Sequence, residues 1–418
     1  MSQRRCSDRA RARLLMVVIA IVVAACTPAS NVGRSPSTST PSSSPNDIPS
    51  PTGSAAPTSE PSPTASTGWQ QAASMVYPRI IFRSVLLTDG TLLVVGDDGC
   101  GLQEAIDGSE RAEVYDPATD RWTEVGSLNK PRGMPELVPL PDGRAMVLGG
   151  FNQTNEWFSS TKVYSPVDRT WSEGPLMIRA GTRGAVALPD GTVIAVGPGQ
   201  TEILDPGATS WRRSTSPNIV VRRLMLLGGG VVFAIGASKE GDAAFATFDP
   251  ASRKWGYVDA QYPSWSDFVA LADGSILILG QDEGGSHVER YDPATQGWTP
   301  TARMGDGRVG AQVTLLADGR VLAAGGMSIS SHAVDGGYSV TEDGVSDTTE
   351  IYDPEADTWI PGPPLRSARQ GGYAMTMRDG SVLVYGGHGP WSPPPSPDTG
   401  STECPPPIAE TERLYVVP

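Results

Sequence analysis

Four arginines recur at one place in a repeated pattern. Arg79, Arg132, Arg308 and Arg369 each lie ten residues before the Asp of an Asp-Gly pair. A guanidinium presents its donors in a fixed fork, so a ring of arginines at one level of a fold could hold carboxylates bidentately. The same spacing also suits structural pairing with backbone carbonyls or with acids such as Glu113, Glu289 and Glu350. Both readings stand at this point. Arg183 and Arg222 sit seven residues before their own turns. Aromatics form a second set: of ten tryptophans, seven belong to a repeat, which leaves Trp157, Trp265 and Trp391, joined by Phe158, Tyr262 and Tyr338. Exposed rings of this kind stack on sugars or anchor protein contacts; otherwise they cap the loops that carry them. Histidine is scarce. His287, His332 and His388 have no short spacing, even with Asp335 or Asp343 as further ligands, so no metal is expected. No Ser-His-Asp spacing, phosphate-cradling glycine loop or paired-carboxylate motif is present, so no catalytic residue and no cofactor are expected.

These residues must be positioned by a repeat. Residues 308–359 read RVGAQVTLLADGRVLAAGG, a long loop, then TEIYDPEADTW. An apolar run, an Asp-Gly turn, a second apolar run closed by Gly-Gly, a third ending in Tyr-Asp-Pro and a final Trp predict a four-stranded antiparallel meander. The turn recurs at Asp89-Gly90, Asp142-Gly143, Asp190-Gly191, Asp273-Gly274, Asp318-Gly319 and Asp379-Gly380, with Gly228-Gly229-Gly230 filling the gap. Tyr115, Tyr164, Leu204, Phe248, Tyr291 and Tyr352 end third strands, each followed seven positions later by Trp122, Trp171, Trp211, Trp255, Trp298 and Trp359. Four strands per period of some tens of residues predict a β-propeller. Seven turns predict seven blades. The last unit stops before its Trp, and the missing one stands at Trp69, so an N-terminal strand is expected to complete blade 7 and close the ring.

The motifs DGxxLxxGG and E-x-YDP-x-x-x-x-W resemble the kelch repeat over about residues 69–418. The resemblance implies an all-β, seven-bladed kelch-type β-propeller of four-stranded antiparallel blades. It points toward relatives as different as the galactose oxidase central domain, sialic acid mutarotases and non-enzymatic binding proteins. Copper radical chemistry as in galactose oxidase is not expected: the chain has no Tyr-His dipeptide and no further domain after the propeller.

Ahead of the repeat, Arg4, Arg5, Arg9, Arg11 and Arg13 precede a twelve-residue apolar run, Leu14–Ala25, too short for a permanent span. Val23-Ala24-Ala25-Cys26 resembles a bacterial lipobox. Residues 1–25 are therefore read as a signal peptide with Cys26 as the lipidated mature terminus. Residues 26–67, almost wholly Ser, Thr, Pro and Ala, are read as a disordered linker, and 68–418 as the propeller. Cys100 and Cys404 fall in equivalent loops of blades 1 and 7, adjacent only in a closed ring, so they form a disulfide or remain two free thiols.

The formal charge is −14; without residues 1–25 it is 27 basic against 45 acidic, or −18. With no basic stripe, nucleic acid is excluded as a partner. Short uniform turns occupy one propeller face, so variable chemistry belongs on the other, where second-to-third loops and blade connections emerge. The expectation is a monomeric binding module, tethered to the outer face of a bacterial cell membrane and taking a glycan or an extracellular or envelope protein. Arg79, Arg132, Arg308, Arg369, Trp157, Trp265, Trp391 and Tyr338 are its expected contacts. The alternatives are a sugar-acting enzyme using an acid such as Glu104 or Glu342, and a non-catalytic envelope scaffold.

Overall fold

The computed structural model describes residues 68–96, 110–152, 154, 156–239, 243–258, 267–282, 285–334, 337–390 and 405–415, with backbone alone at 281, 282, 285, 329–334 and 337–343. The signal segment, the linker, Cys26, Cys100, Cys404, Trp265 and Trp391 lie outside the described residues, as do the side chains of Tyr338 and His332.

Each blade begins with one hairpin. In blade 1 the Gly90 amide donates to the Leu87 carbonyl at 3.0 Å and the Leu87 amide donates to the Thr91 carbonyl at 2.8 Å. The loop is thus three residues long, a turn closed by glycine at φ 88, a conformation that costs other residues Cβ strain. The Asp89 carboxylate completes it by accepting the Thr91 amide at 2.9 Å. Blade 4 repeats the arrangement without Asp: Gly230, at φ 83, donates to the Leu227 carbonyl. Second strands such as Leu92–Val95 are buried at every position, because each blade is covered on both faces by its neighbours.

The third and fourth strands are joined through Tyr-Asp-Pro. Asp116 accepts the Ala118 amide and the Thr119 hydroxyl, both at 2.9 Å. Across the strands Tyr115 faces Trp122 with ring centroids 5.2 Å apart, and Tyr352 faces Trp359 at 5.0 Å. The indole then reaches the connection that leads into its own blade: Trp211 donates to the Pro175 carbonyl at 2.9 Å and Trp359 to the Ala302 carbonyl at 3.0 Å.

Among the described residues there are seven four-stranded antiparallel sheets and one three-stranded sheet. The innermost strands are Arg83–Leu86, Glu136–Pro139, Gly184–Ala187, Val220–Leu226, Asp267–Ala270, Gln312–Leu315 and Tyr373–Thr376. Blade 7 takes its outermost strand from the other end of the chain: Gln70–Ala72 pairs antiparallel with Thr411–Leu414, Gln70 opposite Arg413. Trp69 sits where Trp211 and Trp359 sit in their blades, its indole donating to the Pro363 carbonyl at 2.9 Å. Seven apolar clusters each join two consecutive blades. The one that closes the ring packs Phe82, Leu92 and Trp122 of blade 1 against Tyr373, Met375 and Tyr385 of blade 7. The strand borrowed from the N-terminus and the seven blades agree with the expectation from the repeats.

The long connection of blade 6 is more ordered than a loop. Met327–Val334 and Gly337–Val345 form a hairpin, and its first strand pairs with Arg308–Val309 to make the three-stranded sheet.

Candidate functional site

The seven innermost strands converge on the central channel. Six residues before each turn Asp, or before Gly229 in blade 4, stand Arg83, Glu136, Gly184, Arg223, Asp267, Gln312 and Tyr373. Six of them open their strands and Arg223 is the fourth residue of Val220–Leu226, all on the face from which the second-to-third connections rise. A repeat fold turns one register position into a ring, and here the ring is polar.

Its geometry is uneven. The Arg83 Nη2 lies 3.1 Å from Glu136 Oε1, and its Nη1 donates to the Phe82 carbonyl at 3.1 Å. The Tyr373 hydroxyl donates to that same carbonyl at 2.6 Å. Asp267 Oδ2 accepts the Ala311 amide at 3.1 Å, while Gln312 Nε2 donates to the Gly310 carbonyl at 3.2 Å. Arg223 differs from the rest. A β-bulge between Val221 and Arg223 shifts the register and aims it, and Gly184 lets its backbone come close. A Cβ on Gly184 would lie 2.9 Å from Leu224 Cγ and 3.4 Å from the Arg223 carbonyl carbon. Arg223 is 8% exposed, and its buried Nε and Nη2 have no hydrogen-bond partner among the described residues. Arg83 Nε and Gln312 Oε1 are also buried without partners.

The charges respond to this enclosure. Burial pulls the Arg223 guanidinium down to about 10, the nearby Tyr373 and Asp267 opposing it. Burial pushes the Asp267 carboxyl up to about 7, against the pull of Arg223 and the backbone amides of Ala311 and Gly310. Burial acts against the Arg83 charge too, but Glu136 and Tyr373 outweigh it and hold the guanidinium protonated. On the rim, exposed Arg183 lays its guanidinium 4.2 Å over the centre of the Trp157 ring.

The four repeat-position arginines do not face this mouth. Arg79, Arg132 and Arg369 are 0% exposed and Arg308 2%, so the expectation that they ring the channel for a ligand is corrected. Each donates through Nη1 to a glycine carbonyl at the end of its blade's second strand: Gly96, Gly149, Gly325 and Gly386 respectively. Three of them also meet a third-strand glutamate, Arg79–Glu113 at 2.8 Å, Arg308–Glu350 at 2.8 Å and Arg369–Glu412 at 2.7 Å. The same glutamates accept amides of the incoming connection, as Glu412 does from Arg366 at 2.6 Å and Ser367 at 3.1 Å. The clamp thus ties three parts of one blade together. Blade 2 carries Lys162 in place of the glutamate, and Arg132 turns to the Ser160 hydroxyl at 2.8 Å and the Phe158 ring at 5.0 Å. A buried charge must find such partners, and the fold supplies most of them internally; one nitrogen of each guanidinium (Arg79 Nη2, Arg132 Nε, Arg308 Nε and Arg369 Nε) has no partner among the described residues.

The remaining expected contacts are dispersed. Trp157 is half-buried, its indole already packed against Arg183 and, at 5.0 Å, against Phe151. It therefore caps its loop and offers no free stacking platform. His287 Nε2 lies 3.2 Å from Glu289 Oε1; His388 Nε2 lies 2.9 Å from Gln370 Nε2. Among the described residues no group of three His, Cys, Asp or Glu could hold a metal ion. The mouth residues share no residue type (Arg, Glu, Gly, Arg, Asp, Gln and Tyr), so in the sequence only their common offset of six from the turn marks them as one ring.

No protein-family model matches the chain. It is similar to mouse Kelch-like protein 35, 28% identical over 196 residues (44% of this chain and 33% of that protein). Mouse Kelch-like protein 36 is 25% identical over 270 residues, 62% of this chain and 36% of that one. Zebrafish Kelch-like protein 21 is 24% identical over 297 residues, 70% and 44%. The chain therefore spans between a third and less than half of the length of these relatives. A solved fungal alcohol oxidase of the AA5 family, in complex with copper, superposes with TM-score 0.59 at 16% identity over 83% of this chain and 76% of that one, a likeness of fold alone. Repeat and blade structure together define a β-propeller, and its sequence is similar to kelch-repeat proteins.

Proposed function

We propose that this chain is a non-catalytic interaction module that holds an extracellular glycan or protein on the channel-mouth face of its propeller, tethered to the bacterial cell envelope through Cys26. The observation that carries the reading is the ring of Arg83, Glu136, Arg223, Asp267 and Tyr373. Arg83–Glu136, Asp267 and Tyr373 each make one contact to a neighbouring blade, yet the ring keeps more buried polar groups than those contacts use, with Arg83 Nε, Arg223 Nε and Nη2 and Gln312 Oε1 unpartnered among the described residues. Similarity to kelch-like proteins supports an interaction role, and the apolar run before Cys26 supports the tether. The test is retention of envelope proteins and glycan-array spots by the full chain, compared with an Arg183→Glu variant that reverses the exposed charge on the rim. Loss of retained species with an unchanged melting temperature supports the module; an identical retained set refutes it. Cys26→Ala should release the protein from the membrane fraction.

A sugar-acting enzyme is the second reading, favoured by Asp267, a carboxyl that exchanges its proton near neutrality beside Arg223. Anomeric exchange of candidate sugars that disappears in Asp267→Asn would replace the module reading.

A further inference from the structure

We propose that the open edge of the strand Gly337–Val345 takes up an extended, basic segment of a partner protein as one more strand. The inference rests on the reading that this face holds a ligand, and it names the kind of ligand and the mode of contact.

The hairpin of blade 6 is rooted on the channel-mouth face. Its first strand, Met327–Val334, pairs with Arg308–Val309 at the base, and the Ser346 amide donates to the Gly326 carbonyl at 2.8 Å. Arg308 is one of the clamped arginines, so the hairpin stands on a fixed base. In the three-stranded sheet Met327–Val334 lies in the middle, so Gly337–Val345 forms an edge that pairs with no other strand among the described residues. Pairing is regular from Gly337 opposite Val334 to Glu342 opposite Ile329, and the register shifts only below, between Ser328 and Ile329. Two residues separate Val334 from Gly337, and a hairpin of that length closes on a pair that exchanges both hydrogen bonds. Alternation then gives the amides of Gly337, Ser339 and Thr341 to the hairpin and turns those of Tyr338, Val340 and Glu342 outward.

This edge lacks the protection that outermost strands of the blades carry. Gly297–Pro300 and Thr358–Pro361 end in proline, Gln70–Ala72 and Arg212–Ser214 are three residues long, and Arg121–Val125 carries Arg121 and Glu124. Gly337–Val345 is nine residues long, with no proline, lysine or arginine. Tyr338, Val340 and Thr341 are residues that favour strands. An exposed edge of this kind pairs with an incoming chain through main-chain hydrogen bonds, a ladder that a glycan does not offer. Charge selects among protein segments. Residues 327–345 hold Asp335, Glu342 and Asp343 against no lysine or arginine, in a chain of net −14. A second copy would bring the same acids to the edge, whereas a segment carrying lysine or arginine meets them with opposite charge.

Amide exchange in the full chain, followed residue by residue by NMR, tests this. Without ligand, the amides of Ser339 and Thr341 should exchange slowly and those of Tyr338, Val340 and Glu342 fast. The probe is a short acetylated peptide alternating valine with lysine, at millimolar concentration. Its controls are a version with glutamate for lysine and a version N-methylated throughout. The lysine peptide should slow the three outward amides tenfold or more, and neither control should. Val340→Pro removes an outward donor without touching the ladder and should weaken peptide binding at least tenfold. Glu342→Lys should shift the preference toward the glutamate peptide. If Val340→Pro loses the slow exchange of Ser339 and Thr341, the hairpin itself is disturbed, and the N-methylated peptide decides from the ligand's side. Four results would overturn the proposal: outward amides already slow without peptide, outward amides slowed by raising the protein concentration alone, no slowing by the lysine peptide, or equal slowing by the N-methylated one. Retention of envelope proteins or glycans alongside any of these leaves the module reading standing, so the two fail separately.

Discussion

Replacing Trp69 by Ala tests whether the borrowed strand holds the ring closed. Trp69 is 6% exposed and packs with Leu316, Leu365 and Leu414 between blades 6 and 7. Truncating a buried Trp costs about 3–5 kcal/mol, and losing its indole bond to Pro363 adds about 1 kcal/mol. A domain of about 350 residues unfolds with an entropy near 0.7 kcal/mol/K at roughly 2 cal/mol/K per residue. A loss of about 4–6 kcal/mol therefore lowers the melting temperature by about 6–9 °C. Melting is followed by circular dichroism at pH 7 on the full chain. A chain beginning at residue 68 should melt like the full chain, and one beginning at residue 74, which lacks the Gln70–Ala72 strand, should lose at least as much as Trp69→Ala. Trp359→Ala, the equivalent change inside an uninterrupted blade, sets the scale. If Trp69→Ala and the chain beginning at 74 both melt within about 1 °C of the full chain, closure by the N-terminal strand has no energetic weight and the reasoning fails.

Three other perturbations reach different parts of the molecule. Glu412→Gln strips the carboxylate from buried Arg369 and should cost about 3–5 kcal/mol, whereas Asp205→Asn, which breaks an exposed pair with Arg212, should cost less than about 1 kcal/mol in urea unfolding; equal costs would deny the clamp its role. Asp267 carries a folded pKa of about 7 above its ordinary 3.8, so the folded state holds the extra proton between those values. Stability should therefore fall as pH rises from 4 to 7, by up to about 1.4 kcal/mol per pH unit, and Asp267→Asn should flatten that slope in urea midpoints. Gly184→Ala forces the backbone of blades 3 and 4 apart and should cost about 1–3 kcal/mol in urea unfolding; an unchanged midpoint would show that the close approach to Leu224 carries no weight.

Much of the architecture was legible because it is local. An Asp-Gly or Gly-Gly-Gly turn, a Tyr-Asp-Pro turn and a Trp seven residues on are set by backbone conformation and cross-strand stacking within one blade. Seven Asp-Gly or triple-glycine turns and the displaced Trp69 pointed to seven blades and to the closure. The fate of the arginines was not legible. Arg79 and Arg223 are both arginines near the start of an innermost strand, and only the packed structure distinguishes them. Glu113 and the Gly96 carbonyl reach the first, whereas Nε and Nη2 of the second have no hydrogen-bond partner among the described residues. In blade 4 the turn has no Asp to mark its register, so Arg222 and Arg223 are interchangeable on paper; the bulge decides which one faces the mouth. Blades specify themselves through short-range geometry, but the channel mouth is assembled from residues of all seven, and the solvent exposure and partners of a charge there follow from how the neighbouring blades meet.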